Sequence, residues 1–257
     1  MRKVHLMPWP WVVAGGAALV LVHVFSGLSA AGWMAGIAYL VVSTTLLTAG
    51  LARRGAARFG PANSVTATRS MLVGVVTALT VTSFTQPVPA ALVVGLTVPA
   101  LLLDAVDGWV ARRTGSASPL GARFDMEVDA FLLLVLGAFD ARTLGGWVLA
   151  IGLMRYAYVA LGWPFPWLQS TVPPRYWRKV VTAVCGIALT LGATGLAPQP
   201  VAIAAIALAL ILLIESFGRD VIWQFRNRAA SAARPPRPRR AARSRSEGST
   251  RSPAPPR

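Results

Sequence analysis

The chain predicts an all-α fold, a polytopic integral membrane bundle of eight helices. Three observations carry that reading. The 257 residues are 55% hydrophobic, with a mean hydropathy of +0.58, a composition that belongs to a lipid-embedded chain rather than a soluble core. The apolar residues fall into eight runs, most of them close to the roughly 20 residues that cross a bilayer. Basic residues gather in alternate gaps between those runs, the asymmetry that orients membrane helices.

The first run, residues 9–28, follows Arg2 and Lys3. A signal peptide is the rival reading, since small residues follow at Ser29 to Ala31. The apolar stretch exceeds the roughly 7–15 residues of a signal core, so a retained helix is expected. His23 in this run has no second ligand nearby and reads as a packed side chain. Residues 33–51 make a second span, followed by Arg53, Arg54 and Arg58. The Gly60-Pro61 pair then breaks the chain, and a third span runs from about Ser64 to Phe84. After the uncharged turn Gln86-Pro87-Val88-Pro89, a fourth covers Ala90 to Arg112. Residues 113–121 read as a loop, and Phe124 to about Ala141 as the fifth span. The sixth, 145–162, contains Arg155. The segment WPFPWLQSTVPPRYWRK reads as an interfacial loop, with tryptophan at the headgroup level. Residues 180–196 and Val201 to Phe217 are the last two spans.

Eight spans with both termini inside put the basic clusters on one side at every loop, because the alternate turns hold only Arg142 as a basic residue. This predicts a multi-pass protein of the cell membrane with cytoplasmic termini. The net charge is +16, and residues 226–257 hold ten arginines and one glutamate. That tail lacks the apolar residues to fold alone and reads as disordered. Anionic membrane lipid is its expected partner, at about 1 kcal/mol per basic residue near the surface. Nucleic acid is not expected, for want of interleaved aromatic residues. The single cysteine, Cys185, lies in an apolar run; it allows no internal disulfide and reads as a packing residue.

One stretch organises the rest: DAVDGWVARRTGSASPLGARFDMEVD, residues 104–129. Five of the nine acidic residues of the chain fall there, between strongly apolar flanks. Carboxylates at the edge of an apolar helix are costly and mark a site. Asp104 and Asp107 are three apart, Asp125 and Asp129 four apart, so on helices each pair shares one face. Two helix ends joined by a loop can bring the four carboxylates to one point. They cannot all stay ionised there without cations among them. Oxygen-only ligands suit Mg²⁺ or Mn²⁺ and argue against zinc.

The spacing resembles the CDP-alcohol phosphatidyltransferase family, whose motif is D-x2-D-G-x2-A-R-x8-G-x3-D-x3-D. Asp104, Asp107, Gly108, Ala111, Arg112, Gly121, Asp125 and Asp129 match it throughout. The resemblance implies transfer of a phosphatidyl group from CDP-diacylglycerol to an alcohol acceptor, with release of CMP. It implies Asp104, Asp107, Asp125 and Asp129 as ligands of two Mg²⁺ or Mn²⁺ ions, with Asp129 also the general base. Gly108 leaves room for the nucleotide to approach backbone, and a residue larger than Ala111 would intrude on the same face. Arg112 offers a planar fork to a phosphate, Gly121 lets the loop turn into the next helix, and Ser118 sits where members often carry a hydroxyl. Asn63, Thr66 and Arg69 resemble a second family pattern, N-x2-T-x2-R, implied in binding the CDP-lipid; Asn63 also reads as a helix N-cap.

Glu127 points to another side of its helix from the motif aspartates and reads as a supporting or lipid-interface residue. Asp140 and Arg142 are expected in the outer turn, and Glu215 is expected to pair with Arg219. Arg155, a charge inside an apolar span, is costly unless it faces a cavity. With Arg175, Arg178 and Lys179 it resembles the acceptor pocket of members that use glycerol phosphate or inositol phosphate; the cluster at 175–179 equally suits plain membrane anchoring. The family core has six helices, expected at residues 59–220, after two extra spans in 1–58 and before the basic tail in 221–257. Homodimers are common in the family. A transporter would show inverted repeats and interrupted helices near the midplane, which this sequence lacks. A non-catalytic relative would be expected to lose a motif aspartate. Transfer of a different headgroup from a CDP-alcohol is the alternative within the enzyme class.

Overall fold

A computed structural model of the chain describes residues 9–53, 61–114, 119–170, 172–173 and 175–232. Among these residues the protein is entirely helical, with eight α-helices: α1 (Trp9–Ser26), α2 (Ala30–Arg53), α3 (Pro61–Thr82), α4 (Ala90–Thr114), α5 (Pro119–Leu144), α6 (Leu149–Leu161), α7 (Tyr176–Thr194) and α8 (Gln199–Ala232). Short 3₁₀ turns at Gly146–Val148 and Pro166–Gln169 flank α6. The predicted helical membrane bundle is the observed fold.

Four helices, α1, α2, α3 and α8, are long and apolar enough to cross a membrane by themselves. α4 and α6 contribute shorter apolar stretches, Ala90–Val106 and Gly146–Leu161.

α3 is the axis of the bundle. It packs against α1, α2, α4 and α5, while α7 bridges α4, α5 and α8. Of the α3 span 72% is buried, against 17% for α1 and 28% for α8, so the outer helices turn most of their apolar surface outward to lipid. Val73, Val75, Val76, Ala78 and Leu79 of α3 are fully buried. With little hydrophobic drive between helices in lipid, close approach matters more, and small residues permit it. A Cβ at Gly32 of α2 would stand 2.7 Å from the Ala78 carbonyl oxygen of α3, and one at Gly152 of α6 would strike the Leu134 backbone of α5.

Several boundaries differ from the sequence reading, and proline explains two of them. Pro61 and Pro119 begin α3 and α5 because a proline at the first helical position loses no hydrogen bond. Asn63 therefore lies inside the first turn of α3 rather than at its N-cap. Gly121 lies inside α5 rather than in a turn, with no positive φ. Of the predicted 113–121 loop, residues 113–114 belong to α4 and 119–121 to α5, and residues 115–118 lie outside the described residues. α7 begins at Tyr176, so the last four residues of the predicted interfacial loop, 176–179, are helical. α8 runs past Phe217 to Ala232, and residues 221–232, read as disordered tail, are helical. Buried Asp220 and Gln224 hold that extension against its neighbours. The tail from 233 onward, Arg2 and Lys3, Arg54 and Arg58 also lie outside the described residues.

At one end His23 Nδ1 accepts a hydrogen bond from the Leu28 backbone N–H at 2.9 Å and closes the α1–α2 turn, where Gly27 adopts φ +62°. Cys185 is buried, its thiol 3.6 Å from the Ala209 carbonyl oxygen.

Candidate active site

Arg69 is fully buried on α3, two turns in from Pro61. An unpaired guanidinium there would be prohibitively costly, and the chain supplies three carboxylates to it. Nη1 donates to Asp104 Oδ1 of α4 at 2.6 Å. Nη2 donates to Asp125 Oδ1 of α5 at 2.6 Å and to the Asp125 carbonyl oxygen at 3.1 Å. Asp129 Oδ1, one turn further along α5, lies 2.8 Å from the same nitrogen. One side chain thus joins three helices, and the pairing of Asp125 with Asp129 on one face follows from their spacing of four.

The carboxylates are less enclosed than their counter-ion. The Asp104, Asp125 and Asp129 side chains are 43%, 31% and 25% exposed, so a ligand can reach them. One oxygen from each lies within 4.8 Å of the others. Three carboxylates against one guanidinium leave the cluster negative, and all its donors are hard oxygens. That donor set fits a divalent cation such as Mg²⁺ or Mn²⁺.

Other predicted residues fall around this point. Thr66, one turn before Arg69, is buried, and Asn63 is half-buried at the start of the same helix. The α4 backbone carries Asp107, Gly108, Ala111 and Arg112 in its last turns, but their side chains lie outside the described residues. Ser118 lies outside them altogether. Gly121 sits in the first turn of α5, one turn before Asp125.

The predicted acceptor residues are drawn together in part. Arg155 Nη2 of α6 donates to Glu127 Oε1 of α5 at 2.5 Å, so Glu127 is an ion-pair partner rather than a lipid-facing acid. Arg155 Nε is buried without a hydrogen-bond partner among the described residues. Arg178 Nη1 of α7 donates to Asp220 Oδ2 of α8 at 3.0 Å. Tyr158 lies within electrostatic reach of Arg155, Arg178 and Asp220, and its hydroxyl donates to Gln224 Oε1 at 2.6 Å. Arg175, which precedes α7, and Lys179 are exposed. Glu215 pairs with Arg219 as its spacing predicts.

Sequence reasoning missed Tyr39 and Tyr156, which lie within electrostatic reach of these two clusters. Tyr39 of α2 stacks on Phe131 at 4.6 Å between ring centroids, and its hydroxyl accepts from Ser70 Oγ at 3.4 Å. Arg69, Asp129 and Tyr156 all act on it electrostatically. Tyr156 in turn feels Glu127 and Arg155. A tyrosine inside an apolar run carries no local signal that separates this placement from plain packing. Asp220 and Gln224 were hidden in the same way, in a stretch that read as the edge of the tail.

The fold and this centre define a class: a multi-pass membrane protein with an oxygen-donor centre where α3, α4 and α5 converge. The family model of CDP-alcohol phosphatidyltransferase matches residues 59–214, and the chain belongs to that family. Neither a curated protein nor a solved structure matches it. Membership makes it a transferase of phospholipid synthesis that acts on CDP-alcohols in membranes, in a family that depends on divalent metal.

Proposed function

We propose that the protein transfers a phosphatidyl group from CDP-diacylglycerol to the hydroxyl of an alcohol acceptor, releasing CMP. The observation that carries this reading is the convergence of Asp104, Asp125 and Asp129 on Arg69. The reaction must bring a hydroxyl oxygen to an anionic diphosphate. Divalent ions held by Asp104, Asp107, Asp125 and Asp129 would supply neutralisation of that charge and of the departing CMP.

The chain's own residues do the rest. Asp129 accepts the proton of the acceptor hydroxyl as the bond to phosphorus forms. Its carboxylate is a weak base at rest, which suffices when proton transfer accompanies bond formation. Arg69 fixes the three carboxylates in register. Arg112, Thr66 and Asn63 hold the CDP-lipid; Arg69, expected to bind it with them, is fully buried against the carboxylates and serves the site through them. Gly108, Ala111 and Gly121 make room for the lipid, and Ser118 meets the nucleotide. The acyl chains stay in lipid while the nucleotide sits at the interface.

The acceptor carries a phosphate in this reading. Arg155 and Arg178 both act on Tyr158 electrostatically, and the buried Nε of Arg155 offers a donor that no group among the described residues engages. A guanidinium has five N–H donors, so pairing with Glu127 or Asp220 still leaves capacity for a phosphate. Arg175 and Lys179 add positive charge at the same end. Residues 59–220 form the catalytic core, 1–58 add two covering helices, and 221–257 face the cytoplasm with the site.

The test is CMP release by purified protein in detergent with CDP-diacylglycerol and Mg²⁺, offering glycerol phosphate, inositol phosphate, serine, inositol and phosphatidylglycerol one at a time. Release that depends on a phosphorylated acceptor and disappears in Asp129→Asn is the expected result. No release with any acceptor from a folded preparation would refute the reaction.

A further inference from the structure

At the far end of α5 from the carboxylate cluster lies an open cavity of about 490 Å³ between α5, α7 and the start of α8. Asp129 and Asp140 are eleven residues apart on one helix, so about 16 Å separates the two places. Asp140 lines this cavity and is only 1% exposed. Neither of its carboxyl oxygens has a hydrogen-bond partner among the described residues. A buried carboxyl left in that state is costly, so its retention calls for a reason. Packing has been arranged around it: a Cβ on Gly192 of α7 would stand 2.7 Å from Asp140 Oδ2.

The neighbouring cation does not relieve it. Arg142 acts on Asp140 electrostatically, yet its hydrogen bonds go elsewhere. Nη1 donates to the Ser83 carbonyl oxygen at 2.6 Å and Nε to the Phe139 carbonyl oxygen at 3.1 Å. Its guanidinium lies over the Phe139 ring, 4.3 Å from the centroid.

We propose that this cavity binds a small ligand through an ammonium group, with Asp140 as its counter-ion. A divalent metal ion fits poorly, since it needs several hard oxygens, and one carboxylate lines this cavity. Among the described residues, the acidic grouping capable of holding such an ion is at the other end of α5. An ammonium group needs one carboxylate and a few further acceptors. Thr143 and Gln199 line the same cavity. The Thr143 hydroxyl donates to the Asp140 carbonyl oxygen at 3.1 Å and keeps its lone pairs for a donor. Gln199 Nε2 donates to the Thr143 carbonyl oxygen at 3.4 Å, which leaves the amide oxygen of Gln199 as an acceptor. The remaining wall is largely apolar and suits the methylene groups of an alkylamine. A free amine and the amine headgroup of a membrane lipid share this chemistry. The site is distinct from the transferase centre and does not rest on the reaction proposed for it.

The experiment measures calorimetric binding of ethanolamine to the full chain in detergent, with ethylene glycol as the uncharged control of similar size. A parallel arm places the protein in nanodiscs of mixed phosphatidylethanolamine and phosphatidylglycerol and identifies retained lipid by native mass spectrometry. Saturable ethanolamine binding, or selective retention of phosphatidylethanolamine, is expected from the unaltered protein. Asp140→Asn should weaken either by about tenfold or more, as loss of a buried charge pair does. Ala197→Phe, which narrows the cavity from its turn without touching the carboxyl, should do the same; it decides the matter if Asp140→Asn fails to fold. Binding of neither amine by folded protein overturns the proposal. So does equal binding of ethylene glycol, or binding unchanged in whichever variant folds, since Asp140 would then be a structural carboxyl only.

Discussion

Arg69 carries the largest consequences of any single residue. It holds three carboxylates that would otherwise repel one another, and its replacement separates electrostatic from geometric roles. Arg69→Ala should lower stability by about 2–4 kcal/mol, somewhat under the cost of breaking a fully buried pair because the carboxylates are partly exposed. Mg²⁺ should restore more of the lost melting temperature in Arg69→Ala than it adds to the unaltered protein, read by thermal unfolding in detergent with and without the ion. Arg69→Lys keeps the charge but not the fork, so it should fold and lose most CMP release. At the acceptor side, Arg155→Ala should raise KM for a phosphorylated acceptor by about tenfold or more while leaving KM for CDP-diacylglycerol within error, since a lost charge-assisted contact costs about 1.5–3 kcal/mol. Steady-state kinetics with each substrate varied in turn would distinguish the two. The aspartates were legible in the sequence because spacing on a helix dictates which face they share. Their partner was not. Arg69 is 35 residues from Asp104 and 56 from Asp125, and no local pattern says which cation will meet which acid. Glu127 and Arg155 hid their pairing for the same reason.

The elements were easier to read than their ends. Lipid imposes a minimum apolar length on each helix, and eight runs in the sequence became eight helices among the described residues. Ends depend on finer chemistry. Pro61 starts a helix where the Gly60-Pro61 pair was read as a break, Pro119 starts one inside the stretch read as a loop, and α8 outlasts its apolar run because Gln224 is tied down. Its Nε2 donates to the carbonyl oxygens of Leu168 and Ser170 at 2.8 and 2.7 Å, fastening the connection before α7 to the extension of α8. Gln224→Ala should leave that connection open to limited proteolysis near Ser170 while the apolar spans stay protected. Contact between α5 and α6 is set by a different feature, the missing side chain at Gly152. Gly152→Leu should destabilise the bundle by about 1–3 kcal/mol or more, because the intruding atoms meet helix backbone rather than a side chain that can move. The melting temperature in detergent reports it.

For the whole molecule, the proposed topology puts the carboxylate centre on the cytoplasmic side and the Asp140 cavity on the other. In a Cys185→Ala background, Arg175→Cys should react with a membrane-impermeant maleimide only after permeabilisation, and Leu196→Cys should react in intact cells. Labelling of both from the same side would overturn the topology, since these exposed positions flank α7. The pattern of helices and charges was legible at this scale because the bilayer acts on composition. The packing order was not, because which helix becomes the axis depends on where glycines let backbones meet. The buried arginine also sets an order of events in time. α3 leaves the ribosome before α4 and well before α5, so Arg69 enters the membrane ahead of every carboxylate it will hold. Until they arrive, a lone guanidinium in lipid costs about 2.5–3.5 kcal/mol on the insertion scale. Insertion of α3 should therefore stay provisional until α5 follows. Nascent chains halted after α3 should be extracted from microsomes more readily than chains halted after α5, and Arg69→Leu should abolish that difference.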